Sequence, residues 1–164
     1  MTMEIQVRKA RLQDAESIAN FVNRAHGEDI INRLDVAQRF SQVGFMLAEQ
    51  EDTLVGVMGW QVENLVIRVI DFLIAPMVNP ITVGEILIEA VEEAGKELEA
   101  EASILFLPPE PSETLTSFWE YFGYEYRPVS ELSKAWREAT TEWNIDESRA
   151  MLKQLRDRMV RRPM

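Results

Sequence analysis

Asp71 is the one acid inside residues 66–74, a β-rich and strongly apolar run. Burial in such a strand raises a carboxyl pKa toward the range useful for proton transfer. A place at the strand's edge or end, or a buried ion pair with Arg68, would instead make it a structural charge. The run ends at Ala75-Pro76, and a short loop leads into an amphipathic helix that opens near Gly84. A strand feeding a loop whose amides point out of a helix N-terminus is a ready-made anion site. The remaining inventory is short. His26 is the single histidine and follows the first predicted helix, where an exposed helix end is its simplest role. Glu63, at the end of the preceding strand, is a second acid of interest.

Composition narrows the chemistry further. The chain has 164 residues, 46% of them apolar and 27% charged, as expected for one ordinary globular domain. With no cysteine there is no disulfide, thiolate nucleophile or thiolate ligand. With one histidine a zinc site would need an all-carboxylate shell, which zinc rarely takes, so no metal is expected. No apolar run approaches the ~20 residues that span a bilayer. No basic-plus-hydrophobic leader precedes the first strand, so the expectation is a soluble, cytoplasmic protein away from membranes.

The net charge of −11 is unevenly placed. Residues 148–164 carry six basic side chains against the single acid Asp157, or +5, leaving −16 on the rest of the chain. An acidic body disfavours nucleic acid, whose binding depends on phosphate neutralisation. It favours a cationic partner such as an amine.

Around the candidate residues the patterns predict alternating elements. Residues 4–11 read as a strand. Asp14 is expected to cap a helix through Ala25, stopped by Gly27. A short helix covers 30–41. Residues 45–50 and 54–62 form a hairpin around Glu51-Asp52-Thr53, and Asn64 turns the chain into 65–74, a central strand covered on both faces. In the helix 83–100, Val83, Ile86, Leu87, Ala90, Val91, Ala94 and Leu98 make an apolar face. A short buried strand at 103–107 follows. Ser112 then caps a helix through Phe122, Gly123 ends it in the left-handed manner, and 124–129 is a further strand.

This order, the strand–loop–helix at 69–91 and the aromatic stretch FWEYFGYEY at 118–126 together resemble the GNAT superfamily of N-acetyltransferases over roughly residues 4–129. The resemblance implies an α/β (α+β) fold with a mixed, mostly antiparallel central sheet and helices on both faces. Its strands at 65–74 and 103–107 would run parallel and splay at their C-terminal ends. It implies a domain at 1–129, and residues 130–164, beyond the match, are expected to form a C-terminal helical extension packed on that domain or on a dimer partner. It further implies acetyl-CoA as cofactor, a small-molecule or peptide amine as acceptor, and an acyl-CoA-dependent N-acyltransferase. The alternative is a non-catalytic module of the same fold that binds another ligand, or itself, and has lost acetyl-CoA.

The residue assignments follow from that resemblance. The family's pyrophosphate loop, Gln/Arg-x-x-Gly-x-Gly/Ala, falls on Asn79, Pro80, Ile81, Thr82, Val83 and Gly84, where only the last glycine is shared. Pro80 lacks an N–H, Ile81 and Thr82 resist positive φ, and Asn79 lacks arginine's charge. Glu85 is expected in the first helical turn, where it competes with a phosphate. A plain strand-to-helix connector is the other reading of this loop. Phe72, Leu73 and Ile74 would hold the thioester and pantetheine through backbone groups. Asp71 matches the family's strand-borne general base, with Glu63 second. Ser112 takes an asparagine slot beside the pantetheine and also reads as a helix cap. Trp119 occupies the slot of the general-acid tyrosine, and an indole cannot protonate a thiolate usefully; Tyr124 and Tyr126 are the available substitutes.

Beyond the resemblance, Ser130 is expected to cap a helix carrying Leu132, Ala135, Trp136 and Ala139. A second helix after Asp146 would align Met151, Leu152, Leu155 and Met159, unless residues 140–145 supply a seventh strand. Such apolar helices, with Trp143, would form a homodimer contact or pack on the chain's own body.

Overall fold

The computed structural model describes residues 4–141 and 150–156. Its strands are β1 (Ile5–Lys9), β2 (Gly44–Gln50), β3 (Thr53–Glu63), β4 (Val66–Ile74), β5 (Ala102–Phe106), β6 (Glu125–Tyr126) and β7 (Ala150–Gln154). Its α-helices are α1 (Ala15–His26), α2 (Arg33–Arg39), α3 (Pro80–Glu97), α4 (Glu113–Tyr121) and α5 (Lys134–Thr141). The strands hydrogen-bond in the order β1-β2-β3-β4-β5-β7-β6. The pair β4–β5 is parallel, whereas β1–β2, β2–β3, β5–β7 and β6–β7 are antiparallel. This is the mixed, mostly antiparallel sheet that the sequence led us to expect. Among the described residues no helix is long and apolar enough to cross a membrane.

The two β-hairpins close on pairs of left-handed residues, Glu51 (φ 49°) with Asp52 (φ 62°), and Asn64 (φ 46°) with Leu65 (φ 66°). Two such residues in a row match the right-handed twist of the flanking strands. Gly27 (φ 71°) closes α1 with its N–H on the Arg24 and Asn23 carbonyls, as its sequence position suggests. The other end of α1 departs from expectation. Asp14 does not cap it through its side chain. Its carboxylate instead accepts from the Arg11 N–H at 2.7 Å and from the Arg8 guanidinium.

The chain divides into two compact units, one comprising 1–61 and 69–91, the other 62–68 and 92–164. In the first, the two-residue alternation of strands sorts side chains by face. Phe45, Leu47 and Val57 share a core with Ile18 and Phe21 of α1 and Val36 of α2. Gly56 meets α3 on the opposite face. A Cβ at Gly56 would stand 2.8 Å from Val83 and 2.9 Å from Leu87, so the helix seats on a glycine.

In the second unit β4 and β5 pair over Val66↔Ala102, Ile67↔Ser103 and Arg68↔Ile104, the parallel arrangement expected. That register ends at Arg68, although β4 runs on to Ile74. Val66, Ala102, Ile104, Ala150 and Leu152 form a core with Leu132, Trp136 and Ala139. The segment expected to form a second C-terminal helix is therefore strand β7, lying between β5 and β6. Ala150, Met151 and Leu152 are buried in succession, the pattern of a strand covered on both faces. The helical spacing of Met151 and Leu155 is coincidental. Thr140 and Thr141 end α5, and the rest of the segment proposed as an alternative strand, with Trp143, lies outside the described residues, as does Met159. Trp136, Met151 and Leu152 are buried within the chain and so contribute no exposed apolar face.

Candidate functional site: a cavity beside β4 and the start of α3

Three consecutive residues of β4, Asp71, Phe72 and Leu73, line one cavity. A regular strand cannot do this, because successive side chains point to opposite faces. The exception is built by Asp71, whose φ of 50° is left-handed, a sparsely populated state for a non-glycine residue inside a strand. The cavity has a volume of about 180 Å³. Ile18, Val36, Phe45 and Val57 form buried parts of its wall, with Val22 and Ile31 beside them. Its polar lining consists of Asp71, Arg39 and His26.

Asp71 is not the buried acid that its apolar strand suggests. Its side chain is 35% exposed and forms an ion pair with Arg39, whose own side chain is 41% exposed. The partner is thus the last residue of α2, not Arg68 of the same strand. Arg39 escaped the sequence reading. One signal was available: it follows Val36 by one helical turn, and Val36 is a core position, so both side chains face the same way. His26, the last residue of α1, is exposed as its position suggests, yet it also lines the cavity.

The start of α3 departs from the expected geometry by a full turn. The helix begins at Pro80 rather than near Gly84. Asn79 Oδ1 accepts from the Ile81 N–H at 2.9 Å and from the Thr82 N–H at 3.3 Å. Val83 N–H already donates to the Asn79 carbonyl at 3.1 Å. Pro80 has no N–H to offer. The amides of Ile81, Thr82 and Val83 are therefore engaged by the chain itself, and Pro80 supplies none. Val83 is fully buried and Gly84 is buried, so neither faces a ligand, while Asn79 and Thr82 are exposed. Glu85 falls in the second turn, not the first, and has no special claim on the helix dipole.

The other candidates belong to the second unit, except Ile74, which ends β4. Ser112 Oγ accepts from the Leu115 N–H at 3.1 Å, which makes it the cap of α4. Trp119 is 4% exposed and packs edge-on against Phe118 and Tyr124. Tyr124 is buried, its hydroxyl 2.7 Å from Ser103 Oγ. Tyr126 is exposed and Glu63 half-buried. Asp71, Phe72 and Leu73 are thus brought together, whereas Glu63, Ser112 and Trp119 are not part of that cavity.

No protein-family model matches this sequence, and no curated protein matches it either. Solved structures do match its fold. An acetyltransferase of the GNAT family from Staphylococcus aureus Mu50 superposes with a TM-score of 0.71 at 14% identity, covering 93% of this chain and 100% of that one. The PaiA N-acetyltransferase of Thermoplasma acidophilum, solved in complex with coenzyme A, gives 0.65 at 15% identity over 93% and 99%. YncA of Salmonella typhimurium, solved with its cofactor acetyl-CoA, gives 0.67 at 10% identity over 95% and 96%. At these identities the likeness is one of fold. The chain has the GNAT fold.

Proposed function

We propose that this protein is a GNAT-fold binding module that takes a small ligand in the cavity between α1, α2 and β4 and has given up acetyl-CoA. The observation that carries this reading is the capped start of α3. A pyrophosphate in that loop would need free amides, yet Asn79 Oδ1 occupies those of Ile81 and Thr82, and Pro80 removes another. Displacing the asparagine would cost about 1 kcal/mol of capping and would return two amides without adding a cation. The residues present do not fit the cofactor that the fold implies.

A second reading, acyl-CoA-dependent transfer to a small-molecule or peptide amine, is favoured by one observation. Asp71, the strand-borne acid, lines the cavity together with Phe72 and Leu73.

Thermal melting separates the two. At about 1 mM acetyl-CoA, a site with a Kd of about 10 μM would add about 2.7 kcal/mol and raise the Tm by roughly 5–10 °C. The binding-module reading expects no rise. A rise of that size would move the assignment to the transferase.

A further inference from the structure

The cavity beside β4 joins an apolar interior to an ion pair whose members are both partly open to solvent. That arrangement specifies a ligand more narrowly than either half does. An apolar cavity of ~150 Å³ is large enough for benzene. At about 180 Å³ this one accommodates a phenyl ring or a branched four-carbon chain. A ligand carrying a single charge, entering beside Arg39 and Asp71, would match one of them and leave the other facing a charge of its own sign or no partner. A zwitterion matches both. Its carboxylate replaces Asp71 on the Arg39 guanidinium, a geometry suited to two parallel hydrogen bonds. Its ammonium replaces Arg39 on the Asp71 carboxylate.

The energetics favour this exchange. Partly exposed ion pairs contribute little to stability, so separating Arg39 from Asp71 costs little. Two charge-assisted contacts replace one, with no change in net charge, while the side chain of the ligand leaves water. Burying a leucine- or phenylalanine-sized group adds a favourable hydrophobic contribution. The strained φ at Asp71 fits the same scheme, since it is what turns the carboxylate into the lining beside Phe72 and Leu73.

We infer that the cavity binds a free apolar α-amino acid, with its carboxylate on Arg39, its ammonium on Asp71 and its side chain among Ile18, Val36, Phe45 and Val57. This rests on the binding-module reading and narrows it to one ligand class.

The test is calorimetry on the full chain with three probes: L-phenylalanine, phenethylamine, which lacks the carboxylate, and 3-phenylpropionate, which lacks the ammonium. L-Phenylalanine binds at least tenfold more tightly than either analogue. Asp71→Asn weakens L-phenylalanine at least tenfold but tightens 3-phenylpropionate, because Arg39 is freed. Arg39→Gln weakens L-phenylalanine and tightens phenethylamine. This crossed pattern is not produced by a merely structural ion pair. If a singly charged analogue binds the parent as tightly as L-phenylalanine, the zwitterion assignment falls while the cavity remains a binding site. If none of the three binds, the assignment falls as well. Binding of acetyl-CoA, measured separately, decides whether the binding-module reading falls with it.

Discussion

Tyr124 Oη and Ser103 Oγ lie 2.7 Å apart, both buried, and so tie the segment that follows α4 to strand β5. Burial pushes the phenol's pKa above its ordinary value, and the serine hydrogen bond offsets this in part. A hydroxyl held in this way contributes to packing against β5. The same contact makes a sign-definite prediction. A group whose pKa is raised by folding stabilises the fold below its unfolded pKa, here about 10, and loses that contribution as the pH rises further. Tyr124→Phe should cost about 1 kcal/mol near neutral pH through the lost hydrogen bond. The gap between parent and variant should narrow above pH ~10 in urea titrations. A gap that stays constant into alkali would contradict the account.

At the other end of the pH scale the Arg8 guanidinium bonds both oxygens of Asp14, at 2.8 and 2.9 Å, and reaches Glu49 at 2.7 Å. The Arg8 hydrogen bond holds the Asp14 carboxyl below its usual range, against the opposing effect of burial. A depressed carboxyl stabilises the fold above its unfolded pKa, about 3.9, and the contribution is lost as the pH falls below that. Asp14→Asn should therefore cost about 1 kcal/mol at neutral pH and progressively less in acid. Denaturation midpoints of the two proteins that fail to converge below pH ~3 would argue against it.

Gly59 of β3 lies against β4. A Cβ there would sit 2.9 Å from the Ile70 carbonyl oxygen, 3.2 Å from Val43 and 3.3 Å from Phe45. The carbonyl belongs to a backbone that cannot step aside without shifting the residue before Asp71. Gly59→Ala should destabilise by about 1–3 kcal/mol, measured by chemical denaturation. An unchanged midpoint would mean that the strands are less closely fitted than described.

Much of the fold was legible because local chemistry and burial agree. Glycine closes α1, Glu51-Asp52 closes the first hairpin and Asn64 starts the turn of the second. Val66, Ile67 and Val69 of β4 and Val83, Leu87, Val91 and Ala94 of α3 are buried where their patterns place them, whereas Leu98 lies beyond the helix and is 55% exposed. Strand β7 reads as a helix in sequence because Met151, Leu152, Leu155 and Met159 recur at helical spacing. The site was less legible. Asn-Pro is a helix-start signature, an asparagine cap followed by proline at the first helical position. Laying a phosphate-loop pattern over it placed the helix one turn too late. Nothing in the residues marks the left-handed φ of Asp71, because the neighbouring structure imposes it. The Arg39 partner is brought to Asp71 by tertiary packing alone.

The central claim, that Asn79 and Pro80 close the anion cradle of α3, is tested most directly by titrating acetyl-CoA calorimetrically into the parent and into the Asn79→Arg, Thr82→Gly double variant. The variant removes the internal cap and adds one cation. Circular dichroism on both proteins confirms that it still folds. The account predicts a Kd weaker than about 1 mM for the parent and binding about tenfold tighter for the variant, about 1.4 kcal/mol. Micromolar binding to the parent, unchanged in the variant, would contradict it.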